Sequence, residues 1–151
     1  MKLNMVKPYM RGVTLIELMI VLAIVAVIAA IALPTYRHYL LRVQRSEAVA
    51  ALLRIRAAQE KFFLQNNAYA SGAQLAAAPP EGLGMGVRTE NRLYELSIAV
   101  PDPTPGAAAV SFLAAATAAG AQTDDTSCLL FTVNDQGVRD SSPAPAARCW
   151  R

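Results

Sequence analysis

Gly12-Val13-Thr14-Leu15-Ile16-Glu17-Leu18-Met19-Ile20-Val21 opens a run that stays uncharged from Leu18 to Tyr36. Apart from Met19, Leu18–Leu33 is wholly aliphatic, and between Val13 and Tyr36 the only charged side chain is Glu17. As a helix rising 1.5 Å per residue, these 24 residues span about 36 Å, more than a hydrocarbon core of about 30 Å. A buried helix in a soluble protein is the competing reading, but apolar segments of that kind rarely run past about 14 residues without a polar face. The stretch therefore predicts a membrane-length helix over 13–36.

Working outward, Met1–Gly12 carries Lys2, Lys7 and Arg11. Basic residues beside a first span hold that end in the cytoplasm, so the chain should extend outward from there. A secretory signal would place small residues for cleavage after the apolar stretch. Leu33-Pro34-Thr35 offers no such site, and the small residue, Gly12, precedes the run. Cleavage there would keep the hydrophobic segment in the mature chain.

The whole chain has 151 residues, a net charge of +3 and a pI near 9.1. The three basic residues of 1–12 account for the whole surplus, because 13–151 holds eleven basic and eleven acidic side chains. Residues 67–151 alone carry five basic and eight acidic. The length suits about one domain. Although 29 residues are alanine, the supply of Leu, Ile, Val and Phe argues against disorder. One His and two Cys cannot build the usual four-ligand zinc site. No Ser/His/Asp or Cys/His constellation suggests an enzyme, and no cofactor is implied.

Arg11-Gly12-Val13-Thr14-Leu15-Ile16-Glu17-Leu18-Met19-Ile20-Val21, continued through Ala29–Tyr36, resembles the processing motif of type IV pilins and type II secretion pseudopilins. Cys128, the terminal Cys149-Trp150 and the length make the rest similar to type IVa minor pilins of the PilE-like group. The resemblance implies an α+β type IV pilin fold, with a long N-terminal helix on an antiparallel sheet and a disulfide-bounded C-terminal region. It implies that prepilin peptidase cuts after Gly12, that the new amino terminus on Val13 is methylated, and that Glu17 serves filament assembly. This chain has Val13 where most members have Phe, and Ala26 where many have Gly; Ala keeps that stretch more helical by about 1 kcal/mol. The implied partners are major and minor pilin subunits, the peptidase, the inner-membrane assembly machinery, and the membrane before assembly. The implied locations are the inner membrane, head outward, and then the pilus surface.

Physical chemistry reads Glu17 in three ways. A carboxylate in an apolar span costs several kcal/mol unless paired. It could complement the helix dipole in the first turn, pair with the amine on its own Val13, or pair with that of a neighbouring subunit and so set axial register. Pro34 removes a helix donor and crowds the preceding turn, so a kink is expected there.

Helical sequence resumes to about Asn66. Ala48, Leu52, Ile55, Gln59 and Phe62 recur at spacings of four and three, with Val49 and Phe63 beside them, which predicts a stripe packed on a sheet. Arg42, Arg54, Arg56, Glu60 and Lys61 fall on the opposite face. Arg37, Arg42 and Arg45 could meet anionic headgroups or neighbouring subunits, although a solvated face is the favoured account of them; His38 reads as a surface residue. The expected organisation is a leader over 1–12, a membrane or filament-core half-helix over 13–36, an amphipathic half over 37–66, and a sheet-based head over 67–151.

In the head, Ala70–Gly86 reads as a long loop. Its Gly82-Leu83-Gly84-Met85-Gly86 is no nucleotide fingerprint, lacking a preceding strand and a following helix. Alternation predicts strands over Tyr94–Val100, Val110–Ala116 and Cys128–Asn134, then a turn at Asn134–Gly137 into a short strand near Val138. Outside the inner membrane, Cys128 and Cys149 should form a disulfide, holding down a Pro/Ala-rich tail over Ser141–Arg148. Asp124-Asp125 with Asp102 lacks a regular calcium loop and reads as a solvated turn; no metal is expected.

Three functions compete. The first is a structural minor pilin that assembles or primes a type IV pilus, supporting twitching motility and adhesion. The second is a DNA-uptake pilin, against which stand a head of net −3 and only Arg88, Arg92, Arg139, Arg148 and Arg151 to meet phosphates. The third is a type II secretion pseudopilin, against which stand the cysteine pair and the terminal Cys-Trp.

Overall fold

A computed structural model describes residues 12–101 and 108–151. Lys2, Lys7, Arg11 and Asp102, named above, lie outside the described residues. Helix α1 runs over Leu15–Asn66, 52 residues, with Pro34 inside it. The chain divides into two compact units at Arg37/His38.

In the first unit, α1 carries its aliphatic residues without cover. Ile16, Leu22 and Ile31 are all more than half exposed, and the helix is long and apolar enough to cross a membrane. An apolar surface of this size on a described element marks a membrane or partner surface. Pro34 cannot donate to a preceding carbonyl, yet the helix is continuous on both sides of it. Beside it, Thr35 Oγ1 donates to the Ile31 carbonyl at 3.1 Å.

The second unit holds the core. The buried residues of α1 are Ala48, Leu52, Ile55, Gln59 and Phe62, the stripe that the periodicity predicts. They pack with the inward face of a four-stranded antiparallel meander of order β1-β2-β3-β4. The strands are β1 (Tyr94–Ala99), β2 (Leu113–Ala118), β3 (Cys128–Asn134) and β4 (Arg139–Pro143). Register places Leu96 opposite Ala116, Ala116 opposite Phe131, and Phe131 opposite Ser141, so one buried row crosses the sheet. Ala114 and Ala116 are fully buried on the second strand, between the larger Tyr94, Leu96 and Ile98 on one side and Phe131 and Val133 on the other. This alternation of large and small residues lets the helix approach the sheet closely.

Two boundaries differ from expectation. The second strand begins at Leu113; Val110 stays exposed, although Phe112, which follows it at the same alternation, is buried. The fourth begins at Arg139 and includes Ser141–Pro143, which the sequence assigned to the tail. Backbone pairing to the third strand incorporates them, and composition alone could not reveal it. Helix α2 (Ala146–Cys149) then closes the chain.

The 70–86 segment is irregular but packed. Gln59, fully buried, uses both ends of its amide on Ala70: Nε2 donates to the Ala70 carbonyl and Oε1 accepts from the Ala70 N–H, each at 2.8 Å. Leu83 N–H donates to the Gln74 carbonyl at 3.0 Å and Met85 N–H to the Leu75 carbonyl at 2.9 Å. The two arms approach so closely that a Cβ on Gly82 would overlap the Gln74 carbonyl. Close backbone approach, not phosphate binding, accounts for glycine there.

Candidate functional site

At the head of α1, Leu18 N–H makes a helical bond to the Thr14 carbonyl at 3.2 Å. The Thr14 hydroxyl also accepts the Glu17 N–H, at 3.3 Å. Thr14 is thus the N-cap, a role signalled by the Thr-x-x-Glu spacing that the sequence reading passed over. The cap fixes where the helix starts, leaving Gly12, Val13 and Thr14 non-helical. Among the described residues nothing lies within 4 Å of where a Gly12 Cβ would be. Val13 is 73% exposed. Glu17 sits in the first turn, where a negative charge suits the helix dipole, and is in no salt bridge among the described residues.

At the other end, Cys128 and Cys149 form a disulfide with Cα atoms 5.8 Å apart. Both are buried, and they tie the start of β3 to the last residue of α2. Beyond the bridge, Trp150 Nε1 donates to the Asp140 carbonyl at 2.8 Å, and its ring packs edge-on against Phe131 at 6.0 Å. The Arg139 guanidinium lies over the same ring, 5.2 Å from its centroid. The tail is therefore docked on β3 and β4.

A buried polar cluster fastens the β2–β3 connection to α1. Arg45 grips Asp125 with both arms of its fork, Nε to Oδ2 at 2.6 Å and Nη2 to Oδ1 at 2.8 Å. Gln122 Nε2 donates to the Leu41 carbonyl at 3.1 Å. The hydrogen bond to Asp125 holds the Arg45 pKa above its ordinary value, against the opposing effect of burial. Burial, and secondarily the Asp125 charge, push the Tyr94 phenol upward. The solvated readings of Arg45 and Asp125 are thereby corrected: these residues, eighty apart in sequence, neutralise each other as a largely buried pair. Among the described residues no group of three His, Cys, Asp or Glu is placed to hold a metal.

Glu47, two residues further along α1, accepts from the Asn91 backbone N–H at 3.0 Å and from Asn91 Nδ2 at 2.9 Å. Burial pushes the Glu47 carboxyl up, but hydrogen bonds from Thr89 and Asn91 outweigh it and hold the pKa below the ordinary range. This anchor joins α1 to the loop entering β1.

Outside the Arg45–Asp125 pair opens a polar cleft of about 520 Å³ lined by His38, Arg42, Asp124, Arg148 and Arg151, among others. Among the described residues Arg42, Arg148 and Arg151 enter no ion pair; Arg88 does, with Glu95. The compact unit from His38 to Arg151 also recruits the basic face of α1. Its ten basic residues match its ten acidic ones, so the net −3 counted over 67–151 does not describe the folded head.

A capped helix whose apolar first part is uncovered and carries one carboxylate, continued into a disulfide-closed α+β head, is the architecture of a filament subunit of the pilin class. Residues 7–33 match the prokaryotic N-terminal methylation motif, and residues 34–132 match the family described as "Type IV minor pilin ComP, DNA uptake sequence receptor". The chain belongs to the type IV pilin family. Curated relatives include the type IV major pilin protein PilA of Myxococcus xanthus (strain DK1622), 34% identical over 116 residues, covering 74% of this chain and 53% of that protein. The type IV major pilin protein PilE1 of Neisseria gonorrhoeae is 40% identical over 75 residues, 48% of this chain and 46% of its own. Fimbrial protein EcpC of Eikenella corrodens is 59% identical over 44 residues, 29% of each chain. The chain thus spans about half the length of these relatives or less. The exposed apolar helix fits a membrane-anchored pilin of the pilus surface.

Proposed function

We propose that this pilin is a minor subunit that assembles with other pilins into a type IV pilus and receives DNA on its head. The observation that carries this reading is the match of residues 34–132, most of the head, to a family described as a DNA uptake sequence receptor. The neutral charge of the folded head replaces the net −3 that stood against DNA. Arg139 over Trp150 adds a guanidinium–aromatic pair of the kind that suits nucleic acid. The expected result is salt-sensitive binding of duplex DNA by the full chain in detergent, read by fluorescence anisotropy. Log affinity should fall by about 0.9 per decade of salt for each phosphate contacted, and Arg139→Gln should lower that slope by about one. Absence of binding to any pool of genomic fragments at low salt refutes the DNA reading.

In the same reading, prepilin peptidase cuts after Gly12, the Val13 amine is methylated, and Pro34 bends the helix. The inner-membrane machinery then withdraws the subunit from the membrane, and Glu17 pairs with the amine of a neighbouring subunit. Glu17→Val should leave the protein in the membrane fraction while its share of sheared pili falls at least tenfold, a loss consistent with an uncompensated charge in an apolar interior. Normal incorporation of that variant would sink the pairing.

A second reading, a subunit that builds or primes the filament for twitching and adhesion, is favoured by the curated relatives described as major pilins. Deleting the gene separates the two: bald cells mean a building role, and piliated cells that fail to take up DNA mean a receptor.

A further inference from the structure

We infer that the cleft between the start of the head's helix and the disulfide-held tail is a docking site for the anionic phosphate headgroups of the membrane in which the subunit waits before assembly. The cleft places Arg42, Arg148 and Arg151, with His38, around one opening of about 520 Å³. Arg45 and Asp125 form its inner wall and cancel one another. Three guanidiniums then line the cleft with one remaining side-chain carboxylate, Asp124. The exposed arginines come from both ends of the head: Arg42 from α1, and Arg148 and Arg151 from a tail held by Cys128–Cys149.

Chain connectivity selects a membrane as the occupant. His38 and Arg42 are two and six residues beyond Tyr36, the end of the uncharged run. On a helix these are about 3 and 9 Å past the span, which is the zone of the headgroups. Tyr36 and Tyr39, 62% and 65% exposed, flank that step, as amphipathic aromatics do at a membrane interface. A cation near an anionic membrane surface gains about fivefold in partition, so two or three acting together would set the pose of the head. The cleft is thus filled while the subunit is anchored and vacated when it is withdrawn into a filament.

The inference rests on the membrane-anchored reading of 13–36, and co-purification of the full chain with lipid nanodiscs reports that anchor separately. Trp150 is the only tryptophan and adjoins Arg151, so its quenching by phosphatidylcholine spin-labelled on the headgroup reads the docked state. In discs containing phosphatidylglycerol, the ratio of docked to undocked heads should exceed that in purely zwitterionic discs by at least fivefold. Arg148→Gln with Arg151→Gln should abolish that difference, and the corresponding double lysine variant should keep most of it. Both arginines are exposed, and unchanged circular dichroism would verify the fold. Quenching indifferent to phosphatidylglycerol, or a response surviving in the double glutamine variant, overturns the inference. So does a cleft that answers only to inorganic phosphate or duplex DNA added to zwitterionic discs, since that would assign it to a free anion or to nucleic acid.

Discussion

Asp125→Ala is expected to destabilise the head by about 2–3 kcal/mol, the cost of leaving the Arg45 guanidinium at the wall of a cleft without its bidentate partner. The side chains of Arg45 and Asp125 are only 11% and 6% exposed, so water cannot replace the lost carboxylate in full. Gln122, whose amide is 3.4 Å from Asp125 Oδ2, loses a second acceptor in the same step. The measurement is urea denaturation of residues 38–151, the compact unit that contains every core residue. A loss below about 1 kcal/mol would show that the pair behaves as a surface ion pair. Arg45→Met with Asp125→Leu should return to within about 1 kcal/mol of the parent, because removing both charges removes the desolvation they share. If the double variant is as unstable as the single, the pair is holding the β2–β3 connection by geometry that packing cannot replace.

Cys149→Ser should cost about 3 kcal/mol, since the bridge closes a loop across a sequence separation of 21. For a head of this size that is a drop in Tm of about 12 °C. The consequence extends beyond stability, because Cys149 ends the short helix that carries Arg148 and precedes Trp150. Freed from Cys128, the tail should leave the sheet, with loss of the Trp150–Asp140 hydrogen bond and a red shift of tryptophan emission. Reduction of the parent protein under mild denaturant should reproduce both effects. An unchanged Tm with unshifted emission would mean that Trp150 packing alone holds the tail.

The parts legible in the chain are those whose physics is local or periodic. The uncharged run after Glu17 announces its helix by length, and the Ala48–Phe62 stripe announces its buried face by a period of 3.6. Cys128–Asn134 shows its strand by alternation. Val110 lies outside β2 because the alternation extends upstream of Leu113, where pairing to β3 begins. Ser141–Pro143 was misread because a proline-rich composition hides an edge strand, where one missing donor is tolerated.

What the sequence by itself determined is the long apolar helix, the methylation motif at its head and the order of helix and strands. Each depends on neighbours within a few residues, and such patterns survive without knowledge of the chain path. Only the tertiary structure decided which charges are spent and which are offered. Arg45 and Asp125 carry no mutual signal across eighty residues, and Arg42 meets Arg148 and Arg151 only because the sheet and the disulfide return the tail to α1. Electrostatic partners are fixed by distance in space, to which linear charge counts are blind. Over the folded unit 38–151 the head is neutral, and three of its arginines gather at one exposed cleft.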